Sequence, residues 1–193
     1  MKELYTKRLI LRPWREGDAE DMYEYAKDPL VGPNAGWAPH GCLELTRQIL
    51  KRFIEDDDTW AVALKEGGKV IGSVGIHKDS SRPYEGARML GYVLNPSYWG
   101  KGYIPEACEA VISFAFEEMG LEILAVYHFD FNERSKRVIE KTGFTPEGIM
   151  RKATNLYDGT IVDKHCYSMT AEEYAKRKCE KESMKGKNDD RLS

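Results

Sequence analysis

The sequence predicts a mixed α/β domain of about 170 residues, and three observations carry that prediction. Short apolar runs of strand length alternate with longer stretches whose apolar residues recur at helical spacing. Turn formers separate these segments: Pro13, the Gly67–Gly68 pair, Asn95–Pro96 and Gly143. The 193 residues, 41% hydrophobic and 32% charged, suffice for one domain with its own core plus a tail.

Taken in order, Leu9, Ile10 and Leu11 end at Pro13 and predict a first strand over Lys7–Arg12. Asp18 is placed to cap a helix through about Lys27, with Ala19, Met22, Tyr23 and Ala26 on one face. Gly32 to Gly41 holds three glycines and two prolines and predicts a loop. Leu45, Ile49, Leu50 and Phe53 give a second helical stripe. Trp60–Leu64 and Val70–Ile76 flank Gly67–Gly68 and predict a hairpin, because a tight hairpin turn needs positive φ. Ala87–Leu94 predicts a strand, and Ile104, Ala107, Cys108, Val111, Ile112 and Ala115 a long helix. A strand from Leu121 to Phe129, a helix over Glu133–Lys141, and strands near Phe144–Met150 and Asp163–Met169 complete the domain. Residues 1–171 form this domain; 172–193 read as a polar helical extension to about Met184 and a disordered tail over Lys185–Ser193.

Composition narrows the function. Twenty-nine basic against 32 acidic residues give a net charge of −3, which argues against a nucleic-acid partner. No apolar run approaches the ~20 residues of a membrane span, and the start Met1–Leu4 lacks a signal-peptide stretch. The four cysteines are far apart and the four histidines scattered, so neither a metal site nor a disulfide framework is indicated, and a reducing cytoplasm is expected.

The most informative segment runs from Leu90 to Ala107, where a strand enters a turn with glycine at 100 and 102 and a helix starts at once. Such a turn can aim successive backbone N–H groups outward. The helix N-terminus adds about half a positive charge, and Lys101 a full one. Pro105 fits the first turn, where its missing N–H costs nothing. The chemistry this suits is binding of a phosphate or pyrophosphate; an ordinary strand-to-helix turn satisfies the same two glycines. Neither Gly-x-x-x-x-Gly-Lys-Ser/Thr nor Gly-x-Gly-x-x-Gly is present.

Tyr92, then Trp99-Gly100-Lys101-Gly102-Tyr103, then Glu106-Ala107, resembles the acyl-CoA loop of the GCN5-related N-acetyltransferases (GNAT), closest to their ribosomal-protein-alanine (Rim-type) branch. Thr6–Pro13 with Asp18-Ala19 is similar to that branch's first strand and helix, and Asn132 to Phe144, with Ser135, Lys141 and Gly143, to its Asn-x-x-Ser…Lys-x-Gly-Phe helix. The match runs over roughly Lys7–Met169. The resemblance implies a mixed, mostly antiparallel sheet of about seven strands, flanked by helices and splayed between the fourth and fifth. Acetyl-CoA, the cosubstrate, would lie in that V. Its pyrophosphate would meet the amides of Gly100, Lys101, Gly102, Tyr103 and Ile104 beside Trp99. Its pantetheine would pair with the edge of Tyr92, Val93 and Leu94, and the thioester oxygen would face an N–H near Tyr92 or Val93. The family loop usually opens with Arg or Gln where this chain has Ser97.

On their own, Asn132 and Ser135 read as an N-cap and a first-turn serine. The resemblance makes Asn132 a pantetheine contact and Ser135 a hydrogen-bond donor to the departing thiolate. The strand glutamate common in that branch is absent, since Met89 and Leu90 precede Gly91-Tyr92. Candidate bases are Tyr92, His128, Asp130, His77 and Glu85, with His128 the first choice for its natural pKa; a water chain serves equally. Trp37, in the loop Asn34–His40, is a candidate wall of the acceptor pocket or a buried anchor of a surface loop. The acidic run Glu55–Asp58 attracts amines or ends a helix. The reading is transfer of acetyl to a primary amine, a protein N-terminus or a small molecule such as an antibiotic or polyamine, by direct attack in a ternary complex. A non-catalytic acyl-CoA sensor is the other reading, and a homodimer is left open.

Overall fold

The computed structural model describes residues 1–189, with side chains to 183. Eight strands form one sheet: β1 (Leu4–Tyr5), β2 (Leu9–Arg12), β3 (Thr59–Leu64), β4 (Val70–Lys78), β5 (Ala87–Leu94), β6 (Ile123–Phe129), β7 (Thr145–Asn155) and β8 (Ile161–Thr170). Their order is β1-β2-β3-β4-β5-β6-β8-β7, and only β5 and β6 pair in parallel. The two-residue β1 raises the count by one over the seven expected. The helices are α1 (Ala19–Ala26), α2 (Gly32–Ala35), α3 (Leu43–Asp56), α4 (Tyr103–Glu117), α5 (Glu133–Lys141) and α6 (Ala171–Asp189).

Both sheet faces are covered. On one, α4 lays Ala107, Cys108, Val111 and Ile112 against Leu9, Val62, Ile71 and Leu90, all at most 3% exposed. On the other, α1 and α3 bury Met22, Tyr25 and Leu50 over Ala61, Ala63 and Val70. The helical stripe in α4 is therefore a core face, and Cys108 belongs to it. Burial pushes its thiol pKa well above the ordinary range, which removes it as a nucleophile.

Four local expectations need correction. Asp18 does not cap α1. Its carboxylate takes two 2.7 Å bonds from the buried Arg12 guanidinium and a third from the Arg15 amide, because a buried arginine on β2 requires a partner. The Gly32–Gly41 loop contains α2, started by Pro33 with its pre-set φ and closed by Gly36 at φ +92°. The last hairpin is longer than the apolar runs indicated, since bulges at Pro146/Gly148 and Met150/Thr154 let β7 continue with little burial. Finally, α6 continues to Asp189, past the predicted end of the ordered chain, while 190–193 lie outside the described residues.

The first half of α6 is fastened to α4. Tyr174 stacks on Phe116 at 4.9 Å, and Arg177 and Lys181 reach Glu109. Deleting residues 185–193 removes none of these contacts. Melting of the truncated chain is expected within about 2 °C of the full chain, an effect of under about 1 kcal/mol; a larger fall by calorimetry would show that the terminal residues dock.

Candidate active site

β5 and β6 are paired only where Ala87–Met89 face Ile123–Ala125. Beyond Met89 they diverge, and a cleft of about 400 Å³ opens between Leu90–Leu94 and Val126–Phe129. The splay stands where the resemblance put it. The backbone edge of Tyr92, Val93 and Leu94 that faces away from β4 borders this cleft and carries no strand.

The glycine turn forms one rim. Asn95 Oδ1 accepts from the Ser97 amide at 3.0 Å, starting a short 3₁₀ turn. Trp99 Nε1 then donates to Leu94 O at 2.9 Å and fixes the chain's exit from β5. Gly100 and Gly102 adopt φ of +76° and +77°, a region costly for a side chain. As a result, the amides of Gly100, Lys101, Gly102, Tyr103 and Ile104 find no backbone acceptor among the described residues. Five successive free donors at the N-terminus of a 15-residue helix suit an anion in geometry and in field. The turn is braced from β2. Arg8 donates to Lys101 O at 2.9 Å, lies over the Tyr103 ring at 4.2 Å, and pairs with Glu106 at 2.7 Å. Burial alone would raise the Glu106 carboxyl pKa, but bonds from Thr6 and Arg8 outweigh it and hold it below the usual value.

Lys101 is not among the residues that line the cleft. Its ammonium donates to Ser97 O at 3.0 Å and lies over the Tyr98 ring. The cationic side chains that line the cleft are Arg134, Arg137 and Lys141 of α5, which sequence reasoning passed over. Their spacing of three and four residues was the available signal, since it puts them on one helix face. Arg134 also lies over the Trp99 ring at 4.5 Å, spanning the mouth between α5 and the turn. Among the described residues no carboxylate lines the cleft.

At the inner end, Tyr92 and Ser135 meet. The phenol oxygen is 2.8 Å from Ser135 Oγ and 3.2 Å from Ser135 O. Burial drives the Tyr92 pKa far up, with the Cys108 thiol adding to it, so the phenol stays protonated at neutral pH. Tyr92 can donate a proton but cannot act as the resting base. Asn132 caps α5 by accepting the Ser135 amide at 3.0 Å, and its Nδ2 donates to Asn34 O at 2.9 Å, tying α5 to α2.

Of the other candidate bases, His128 lines the cleft, and Glu85, Asp130 and His77 do not. His128 is 3% exposed and on the α4–α5 face with Leu124 and Val126. Its Nδ1 donates to Phe129 O at 2.8 Å, its Nε2 is 3.3 Å from the Tyr167 hydroxyl, and burial lowers its pKa. Both ring nitrogens are thus engaged. Glu85 and Asp130 are exposed and do not line the cleft. Trp37 does not line it either: its ring packs over Gly32 and against His40 at 5.2 Å. Leu30, Val31, Asn34 and Ala35 form the wall instead. Tyr127 and Phe129 continue it, their ring centroids 5.7 Å apart, and Phe131 stacks on Phe129 at 5.6 Å outside the cleft. Asp58, from the acidic run, bonds His77 on β4.

A family model described as an acetyltransferase (GNAT) domain matches residues 8–145. The uncharacterized N-acetyltransferase p20 of Bacillus licheniformis is 26% identical over 180 residues, spanning 91% of this chain and 99% of that protein. The crystal structure of a GNAT-family acetyltransferase from Bacillus anthracis superposes with a TM-score of 0.81 at 27% identity, over 89% of this chain and 100% of that one. The microcin C7 self-immunity acetyltransferase MccE, solved in complex with acetyl-CoA and AMP, shares the fold at a TM-score of 0.72 and 19% identity, over 85% of this chain and 93% of its own.

Proposed function

Because the chain belongs to the GNAT acetyltransferase family and is an acyltransferase, we propose that it moves the acetyl group of acetyl-CoA to the α-amino group of a peptide-like acceptor by direct attack in a ternary complex. The observation that carries this reading is the run of five amides at the head of α4 without an acceptor among the described residues, beside a cleft that those residues line with three cations and no carboxylate. That rim suits the pyrophosphate, with Arg134, Arg137 and Lys141 supplying charge in place of the loop Arg or Gln that Ser97 replaces. The bare edge of Tyr92–Leu94 suits the pantetheine amides, and Asn132 lines their path. The Tyr92 N–H is the proposed oxyanion donor: Asn95 N–H donates to Ile71 O on β4, and alternation along the strand turns the Val93 N–H to β4 and the Tyr92 N–H to the cleft.

In the chemical step the amine lone pair attacks the thioester carbon. A C–N bond forms, the C–S bond breaks, and its electron pair leaves on sulfur. The Ser135 hydroxyl, polarised by Tyr92, donates to that thiolate. A thiol with a pKa of about 8.5 leaves tolerably at neutral pH, so one donor suffices.

The cleft also bears on the acceptor. A polyamine or an aminoglycoside carries several positive charges and needs carboxylates around it. Here the wall is Leu30, Val31, Met89, Tyr127 and Phe129, with Arg134, Arg137 and Lys141 nearby. An amine flanked by a small apolar side chain, as at a peptide N-terminus, fits better. An α-amine, pKa about 7.7–8.0, is also far more neutral at pH 7 than a lysine amine near 10.4. An alanine-initiated peptide should therefore be acetylated several-fold faster than an Nα-blocked lysine peptide, spermidine or an aminoglycoside. Thiol release over this panel at pH 7 checks it. Faster turnover of the polycations would exclude the peptide reading, and no release with any amine would exclude the function itself.

A further inference from the structure

We propose that His77, oriented by Asp58, is the proton acceptor for the attacking amine; this rests on the function proposed above. His77 stands near the end of β4, where the sheet begins to open. Its Nδ1 is 2.9 Å from Asp58 Oδ2. A carboxylate can only accept, so Nδ1 carries the hydrogen and Nε2 presents its lone pair. Asp58 is held in turn by the Thr59 hydroxyl, which donates to its other oxygen at 2.8 Å. Among the described residues no donor meets Nε2.

The ring lies on a floor made of two glycines. Gly75 of β4 and Gly91 of β5 are cross-strand partners. A Cβ on Gly75 would sit 2.7 Å from His77 Nε2, and one on Gly91 3.2 Å from the same atom. A side chain at Gly75 would collide with the imidazole, and one at Gly91 would crowd it. Gly91 itself lines the cleft, and His77 stands behind it, outside the lining residues. The bare pair therefore lets the basic nitrogen lean from β4 towards the point where β5 and β6 part. The imidazole is a third exposed (35%), so it can exchange its proton with water.

The sheet face is decisive. Side chains alternate along β5, so Tyr92 shares the α4–α5 face with Leu90 and Leu94, and its hydroxyl meets Ser135 there. Gly91 has the parity of Met89 and Val93 and presents the α1–α3 face, where Val93 packs. His77 is on that second face. The hydroxyl pair that would meet the leaving sulfur and the imidazole that would meet the amine thus approach the V from opposite sides. Attack and departure occur at different substituents of one carbon, and this arrangement gives each its own proton-handling group. The balance closes: the amine nitrogen loses a proton to Nε2, directly or through one water, and the imidazolium passes it to solvent. His128 stands on the Ser135 face, with Nδ1 bonded to Phe129 O and Nε2 beside the Tyr167 hydroxyl.

The test uses the fastest amine of the panel above. His77→Gln keeps the side chain's bulk without its basicity and should lower kcat at pH 7 at least tenfold, leaving acetyl-CoA affinity by calorimetry within twofold. In His77→Ala, added imidazole should restore part of the lost rate, a rescue that a merely structural role would not give. Asp58→Ala removes the orienting acceptor and should lower kcat several-fold with the amine KM unchanged. A His77→Gln enzyme within twofold of wild type, or a rate that falls with His128→Asn and not with His77→Gln, overturns the assignment while the acetyltransferase reading stands. Wild type inert towards every amine overturns both.

Discussion

Gly102→Asp is expected to weaken acetyl-CoA binding at least tenfold, with the protein still folded. Gly102 sits at φ +77°, and the space beside it is open apart from Arg8 Nη2, 3.6 Å from a would-be Cβ. Aspartate tolerates the left-handed region better than most residues, and Arg8 offers its carboxylate a partner. The backbone cost is therefore modest. The larger effect is electrostatic: a negative charge enters among amides whose field favours an anion, and it neutralises Arg8, which braces the turn. Gly102→Asn has the same shape without the charge and should lose less affinity than Gly102→Asp. Calorimetric titration with acetyl-CoA over both variants reads the difference. Unchanged affinity in a folded Gly102→Asp protein would mean that the pyrophosphate does not bind at this turn.

Ser135→Ala should lower kcat by a factor of about ten to a hundred, with acetyl-CoA affinity changed less than twofold. The substitution is mild for the fold. Tyr92 keeps the Ser135 carbonyl at 3.2 Å as an acceptor, so its buried hydroxyl is not stranded. The Asn132 cap on the Ser135 amide is a backbone contact and survives. What goes is the hydroxyl 2.8 Å from the phenol. Since the donor matters only as charge develops on sulfur, the loss belongs to the transition state and appears in kcat. Tyr92→Phe should act in the same direction by removing the group that polarises Ser135. A kcat within threefold of wild type for Ser135→Ala would remove the serine from the chemical step.

Some of this molecule is legible in its sequence, because it depends on neighbours along the chain. The apolar spacing from Ile104 to Ala115 specifies a helix with one buried face, and all six of those residues are buried. Gly67 and Gly68 specify a hairpin through positive φ, and Gly100 and Gly102 a turn that frees amides. The bounds of β5 and α5 also coincide with expectation, since strong turn signals flank both. The three motifs in register pointed to the GNAT family, whose domain model matches 8–145.

Other features were decided only when the sheet assembled. Asp18 carries a good capping residue's side chain, yet the burial of Arg12 claims it. Lys101 supplies charge on paper, but its long side chain finds Ser97 and Tyr98 first, and α5 delivers the cations to the cleft. Trp37 turns from the cleft because Gly32 leaves a space that its ring fills. His77 and Asp58 are 19 residues apart, and Gly75 meets Gly91 only through the register of β4 on β5. Spacing along a chain fixes periodicity, and so which face a residue shares with its neighbours in sequence. It does not fix strand register, or which of several partners captures a flexible polar side chain. Those depend on distances set by packing across the sheet, and that is where Asp18, His77 and Tyr92 find their partners.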